Sequence, residues 1–437
     1  MRALRSGLVL VACVALPALA TAQSSGLIPI PDYGGDFESR THMSGDWGGE
    51  RTDLAERGIT FDFTWNQVSQ AVLEGGRNET GRYGGKLESV VTFDLDRMEL
   101  MQGALLTLHT ETRYGKSVNE AAGSVLAVND ILFFPLTDRA DEDILLAITE
   151  FRYTQFLSKE LGFFAGKFVP LGGDLNEFAG GRGDTQFLSH SFLSASVTAM
   201  INPYSTLGGG VWYSPHADLT FQGNLYQTTD SSTTTGFDNF GDGWTTDFSL
   251  RTQYRWNELP GGARVAFEYA FDGDYVDFGR RFVDPDDSLS VPRTEETWVA
   301  YANAWQYLRV DEPGDGQIDL MNGRQDLRGI GIFARIGTAD ADVNPVARAI
   351  SFGVGGKGVF GDRADDTFGI GYANTKLRDR RFISASSIDS STNRLEAYYN
   401  FVLSPAVELT VDGQWTDTLL DEDDPAWLLG LRLRMSF

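Results

Sequence analysis

Cysteine is nearly absent from this 437-residue chain: the single one, Cys13, lies in the N-terminal segment. If that segment is removed, no disulfide and no thiol chemistry remain. Lysine is scarce as well, six residues against thirty arginines, and the formal net charge is −25. A phosphate backbone demands a basic face, so nucleic acid is excluded as a partner. No apolar run of about 20 residues follows the N-terminus, which excludes helical membrane spans. The four histidines, His42, His109, His190 and His216, have no metal-ligand spacing, and no G-x-S-x-G elbow is present. No cofactor, metal or catalytic constellation is therefore expected, and the chain is read as a non-enzyme.

What is present begins with a secretory pattern. Arg2 and Arg5 precede the apolar stretch Leu8 to Ala20, and Ala20-Thr21-Ala22 is an A-x-A cleavage site. The expected organisation is a signal peptide over 1–22, an N-terminal periplasmic segment with a short helix over 23–58, and a β-barrel over 59–437. Leu10-Val11-Ala12-Cys13 also fits a lipoprotein signal, but so early a cysteine leaves a very short apolar region.

The C-terminal eleven residues are the clearest stretch. Trp427, Leu429, Leu431, Leu433, Met435 and Phe437 fall on one face of an extended strand, and Arg432, Arg434 and Ser436 on the other. A soluble sheet can alternate in the same way. A run of about eleven residues with an aromatic at each end of its apolar face favours a transmembrane strand. The pattern recurs. His109, Glu111 and Arg113 oppose Leu106 and Leu108; Arg251 and Arg255 oppose Leu250 and Tyr254. Arg264 and Glu268 oppose Val265 and Phe267; Arg394 and Glu396 oppose Leu395 and Ala397. With weaker segments included, about sixteen strands result, joined by short links alternating with long polar ones, among them Arg309 to Gln325, the rhythm of short periplasmic turns and long external loops. The fold class is thus all-β, a transmembrane antiparallel barrel whose lumen carries opposed Arg and Glu/Asp rows, a field able to discriminate solutes. Expected pore-lining residues are Arg113, Glu111, His109, Arg251, Arg255, Arg264, Glu268, Arg394, Glu396, Arg432 and Arg434.

Two segments mimic other sites. Gly353 to Gly358 matches G-x-G-x-x-G, but a strand follows where a dinucleotide site needs a helix, so these glycines are read as room for close packing. The acidic run Asp311 to Asp319 fails as an EF-hand, with Pro313 and Asn322 at ligand positions.

Ser44-Gly-Asp-Trp-Gly-Gly-Glu-Arg-Thr-Asp-Leu54 followed by Gly58-Ile59 resembles the N-terminal signature of the carbohydrate-selective (OprB-type) porins. The segment from Gly329 to Leu377, with G-I-G-I-F-A-R-I-G and a later F-G-I-G-Y, is similar to the same family, and the terminal Phe437 resembles the closing strand of bacterial outer-membrane barrels. The resemblance implies location in the bacterial outer membrane and passive, selective diffusion of glucose-like monosaccharides into the periplasm. It also implies contact with outer-membrane lipid and lipopolysaccharide, recognition of the last strand by the barrel-assembly machinery, and possible homo-oligomers. The stretch Pro170 to Thr206 follows the fifth strand. By its length and the family pattern it is expected to fold inward as a constriction loop bearing Asp174, Glu177, Arg182, Asp184, Phe187 and Phe192. The rivals are a general diffusion pore and, from another class, a barrel adhesin or enzyme acting through its loops.

Overall fold

The computed structural model describes residues 26–133, 146–278, 292–312, 318–319, 324–325, 327–378, 390–420 and 422–437. The expected signal segment lies outside these, as does part of the acidic run Asp311 to Asp319. Period-two alternation decides the architecture, because a strand with one apolar and one polar face can bury its backbone polarity in lipid only by joining a closed sheet. Sixteen strands do so: β1 (Ile59–Glu74), β2 (Thr80–Asp94), β3 (Ala104–Gly115), β4 (Ala147–Phe156), β5 (Leu161–Phe168), β6 (Thr206–His216), β7 (Leu219–Gln227) and β8 (Trp244–Trp256), then β9 (Leu259–Phe271), β10 (Thr297–Glu312), β11 (Arg328–Ala339), β12 (Val346–Lys357), β13 (Thr367–Leu377), β14 (Ser391–Ser404), β15 (Val407–Thr416) and β16 (Ala426–Ser436). Each pairs antiparallel with its sequence neighbours, and β1 pairs with β16 from Thr64↔Ser436 to Glu74↔Trp427, so no edge is left open.

Exposure follows the sequence alternation. Trp427, Leu429 and Leu431 are exposed on the outside, whereas Leu428, Gly430 and Arg432 are buried on the inside. Phe248, Val265, Phe267, Ile370 and Leu395 continue the exterior apolar band. The links 217–218, 257–258 and 405–406 make tight turns at one end of the barrel, and the long connections 169–205 and 228–243 emerge at the other. One expectation is corrected. The long link near Arg309 to Gln325 does not belong with the external loops, because β10 stays paired with β11 as far as Glu312↔Arg328. Antiparallel order then puts Glu312 and Arg328, the facing ends of β10 and β11, at the turn end of the barrel. In the G-x-G-x-x-G stretch, β12 leads through a bend into β13, with no helix between.

The N-terminal motif closes the seam. Helix α1 (Glu50–Glu56) is the short helix expected within 23–58, and the chain turns out of it at Gly58, whose φ of 93° a side chain would resist. The Asp46 carboxylate accepts from Thr52 N and Thr52 Oγ1, both at 2.8 Å. Arg51 is wholly buried, lies 4.2 Å from the Tyr33 ring centroid, and donates to the carbonyl of Phe61 (2.6 Å) and to an oxygen of Phe437 (3.0 Å). One guanidinium therefore joins the first strand to the last residue. Arg51→Leu leaves two part-buried acceptors without this donor, a loss of about 2 kcal/mol. The expected result is a lower unfolding temperature in a heat-modifiability gel shift; an unchanged transition would count against the seam role.

Candidate functional site

The loop 169–205 runs back into the lumen, where a chain with little regular structure meets the barrel wall. Apart from short helical turns at Pro170–Gly173, Gly181–Gly183, His190–Leu193 and Ser196–Met200, it has no ladder to satisfy its backbone. Its aromatic residues settle on a strip of inward-facing glycines in β11, β12 and β13. A Cβ on Gly371 would sit 2.6 Å from the Phe192 ring, one on Gly369 2.8 Å from the Phe187 ring, and one on Gly355 3.0 Å from Phe178 Cβ. Phe187 stacks on Phe192 at 4.6 Å and meets Tyr398 edge-on at 4.9 Å, and Phe178 meets Tyr307 at 4.8 Å. Phe178, Phe187 and Phe192 are all buried. The glycines thus give the close packing read from the sequence, and the aromatic loop is what fills it.

Four arginines from four strands hold the backbone of this loop and of the preceding one. Each spans two main-chain carbonyls. Arg113 (β3) donates to Asp130 O (3.2 Å) and Ile131 O (2.5 Å). Arg335 (β11) donates to Ala179 O (2.5 Å) and Phe192 O (2.6 Å), and its Nε to Asp174 (2.8 Å). Arg394 (β14) reaches Leu126 O (2.7 Å) and Ala127 O (2.9 Å), with Ser124, Ser189 and Ser191 hydroxyls around it. Arg432 (β16) reaches Gly183 O and, at 2.9 Å, Gln186 O. From the other side, the Glu396 carboxylate accepts from Leu188 N (2.5 Å) and Ser189 N (3.2 Å). Arg113, Arg394, Arg432 and Glu396 therefore point inward but lie beneath the loops, each no more than 6% exposed.

Under the loop tip the structure assembles a charged cluster. Lys86 Nζ stands 2.9 Å from both Glu88 and Asp184. His109 Nε2 is 3.3 Å from Glu88, and Arg113 is 3.1 Å from Glu111. Tyr204 OH donates to Glu111 (2.7 Å) and accepts from Arg182 (2.8 Å). Three successive left-handed residues, Gly181, Arg182 and Gly183, make the turn that separates Arg182 from Asp184. A non-glycine residue held there stores strain of the kind found at ligand clamps. Arg182 keeps 35% of its side chain exposed and Asp184 17%. Glu88, His109 and Glu111 come within metal-ligand range of one another, yet Lys86 and Arg113 already neutralise them. On the neighbouring loop, burial raises the Asp130 carboxyl, but the hydrogen bond and charge of His190 at 2.8 Å bring it below the ordinary carboxylate range.

The remaining expected residues lie apart from this cluster. Asp174 is buried against Arg335, and Glu177 accepts from Tyr307 OH at 2.8 Å. On the β8–β9 wall, Arg251 faces Arg264, and Asp247 faces Glu268 in register. Arg255 is at the turn rim, donating to Glu258 O (3.0 Å), and Arg434 pairs with Glu408 at 3.0 Å. Sequence reading missed Lys86, Glu88, Tyr204 and Arg335. Arg335 stood inside the quoted G-I-G-I-F-A-R-I-G run, its lone charge on the inward face; the others needed cross-strand register and loop placement.

Residues 78–437 match the family described as "Carbohydrate-selective porin, OprB family". The chain is similar to Porin B of Pseudomonas aeruginosa, 24% identical over 436 residues, covering 90% of this chain and 91% of that protein. Among solved structures it is similar to the high-pH structure of Pseudomonas putida OprB (TM-score 0.77, 21% identity, 92% of this chain and 100% of that one). It is similar as well to the low-pH structure of the same protein (TM-score 0.59, 17% identity, 92% and 99%).

Filling the glycine strip should unseat the loop without opening the barrel. Overpacking of this kind costs about 1–3 kcal/mol, so Gly371→Leu is expected to raise single-channel conductance in planar bilayers while the folded gel band persists. Wild-type conductance in that variant would show that the loop does not depend on the glycines.

Proposed function

The chain belongs to the OprB family of carbohydrate-selective porins of the outer membrane, and from that premise we propose that it gives glucose-like monosaccharides a passive, selective route into the periplasm. The observation that carries this reading is the fixed loop inside the lumen together with the charges it leaves accessible. Arg182 and Asp184 at the tip, Arg152 against Glu150 at 2.9 Å, and Arg434 against Glu408 retain exposure to the lumen. Opposed guanidinium and carboxylate groups exchange water hydrogen bonds for those of hydroxyl-rich solutes, and their transverse field disfavours solutes that cannot do so. The buried arginines, Arg113, Arg394 and Arg432, serve the filter by positioning it. Diffusion needs no covalent step. The exterior band meets outer-membrane lipid and lipopolysaccharide, and the closing strand addresses the barrel-assembly machinery, as parts of the same proposal.

Liposome swelling with the purified protein tests it. Glucose is expected to enter well ahead of a neutral amino acid of its size, with a disaccharide slower than both. Equal entry of glucose and the amino acid would reduce the protein to a general diffusion pore.

A further inference from the structure

The 228–243 loop turns outward where the 169–205 loop turns in. On the exterior of the wall, Phe151, Lys167 and Leu207 stand in one register row across β4, β5 and β6. Phe151 is exposed there, yet Lys167 is buried, because the loop lies over it. Lys167 Nζ donates to Thr234 O (2.7 Å) and Ser232 O (3.4 Å). Gly236 settles on Leu207, where a Cβ would come within 3.1 Å of Leu207 Cγ. The loop carbonyls thus take up a charge that would otherwise face hydrocarbon. Beyond this cover the loop presents Phe237 and Phe240, both exposed, and Phe240 meets the outward ring of Trp244 edge-on at 5.4 Å. Phe271, the cross-strand partner of Trp244, continues the set. Aromatic rings at the end of an apolar band mark the membrane–water interface.

Below these rings the same strands leave an open furrow of about 610 Å³ on the outer face. Its walls are Val211, Phe221, Phe248, Val265 and Phe267, and its floor is Gly223, in register between Val211 and Phe248. A Cβ on Gly223 would lie 3.6 Å from the Phe248 ring, an ordinary contact, so the missing side chain leaves room there. Gln222 and Ser249 border the furrow but turn their polar ends to the lumen, toward Asn224 and Arg264. The ladder already satisfies the backbone. What remains is apolar surface, which an apolar chain fits and a headgroup or a sugar does not.

We propose that this furrow binds one acyl chain of an outer-leaflet lipid, with the Phe237–Phe240 turn over its headgroup end at interfacial depth, where the loop backbone stays hydrated. The rival occupant of an apolar face in a membrane is a second copy of the chain. The rim argues against it. Asp238, Asp242 and Asp272 stand exposed at the external end of the furrow, and two copies meeting through this face would bring those carboxylates together. The bound lipid also bears on the pore. Ser231 N and Oγ donate to Ser205 O at 2.8 and 3.1 Å, and the Asp230 carboxylate accepts from Ser205 N at 3.2 Å. Through these bonds the lipid-held loop steadies the point where the infolded loop rejoins the wall.

The inference rests on the reading of the exterior band as lipid-facing, and the two fail separately. If that reading is wrong, wild type and variants alike will not insert into vesicles; the furrow is decided by one set of variants. Purified protein in detergent is titrated with lipid A, and the fraction of barrels holding one molecule is read by native mass spectrometry. In Gly223→Leu binding is expected to weaken about tenfold, the worth of about two methylenes turned out of the furrow, with the folded gel band unchanged. Removing the roof in a Phe237→Ser, Phe240→Ser double variant should weaken it as well. Ala334→Leu, which adds the same bulk to the exterior of β11, should bind as wild type does. Unchanged binding in Gly223→Leu overturns the proposal, as does equal weakening in Ala334→Leu. Phosphatidylethanolamine bound as tightly as lipid A, with the same response to Gly223→Leu, overturns the outer-leaflet source. A dimer in the wild type that Gly223→Leu dissolves would make the furrow an interface between copies.

Discussion

A main-chain carbonyl buried inside a barrel must find a donor, and the rest of this structure depends on how that demand is met. Strands satisfy their own backbone through the closed ladder, but the infolded loop has none. Four inward arginines answer with two carbonyls each, Arg335 and Arg432 on this loop and Arg113 and Arg394 on the preceding one, and Glu396 answers the buried amides of Leu188 and Ser189. Arginine suits this task where lysine would not, because its planar fork reaches two acceptors at once without losing its charge. The shortage of lysine and the wealth of arginine in the composition acquire a structural reason.

The arginines alone would hold a loop loosely over a wall of bulky side chains. The glycine strip removes that wall where Phe178, Phe187 and Phe192 arrive, so aromatic packing and carbonyl capture act on the same segment. The result is a loop packed as part of the barrel interior. Charges that remain accessible, Arg182 and Asp184 foremost, are presented by a rigid turn rather than by a free loop. Selectivity among hydroxylated solutes needs such fixed donors and acceptors, since a filter able to rearrange would adapt to every solute equally.

Much of the fold was legible in the sequence because alternation is local: β16, β14 and β9 read from residue to residue as they stand in the barrel. The seam was legible only as a resemblance. That Arg51 reaches Phe61 and Phe437 depends on closure between residues at opposite ends of the chain. The length of β10 was misjudged because its last residues, Arg309 to Glu312, are polar and stay paired across bulges, which no period-two pattern reveals. For the site, inward direction could be read for Arg113, Arg394 and Arg432, but their partners could not. Whether an inward arginine meets solute or loop is set by contacts more than fifty residues away in sequence for Arg394 and Arg432. Lys86 and Glu88 escaped notice for the same reason, since Asp184 and His109 come to them from other elements.

Amide hydrogen exchange of the loop tests the central claim most directly. Leu188 and Ser189, whose amides are bonded to Glu396, and Gly180, whose amide is bonded to the Gln186 side chain at 2.6 Å, are predicted to exchange as slowly as amides in the barrel strands. Exchange at these positions as fast as in the exposed segment around Phe237 to Gly241 would contradict a fixed constriction and leave selectivity without its scaffold.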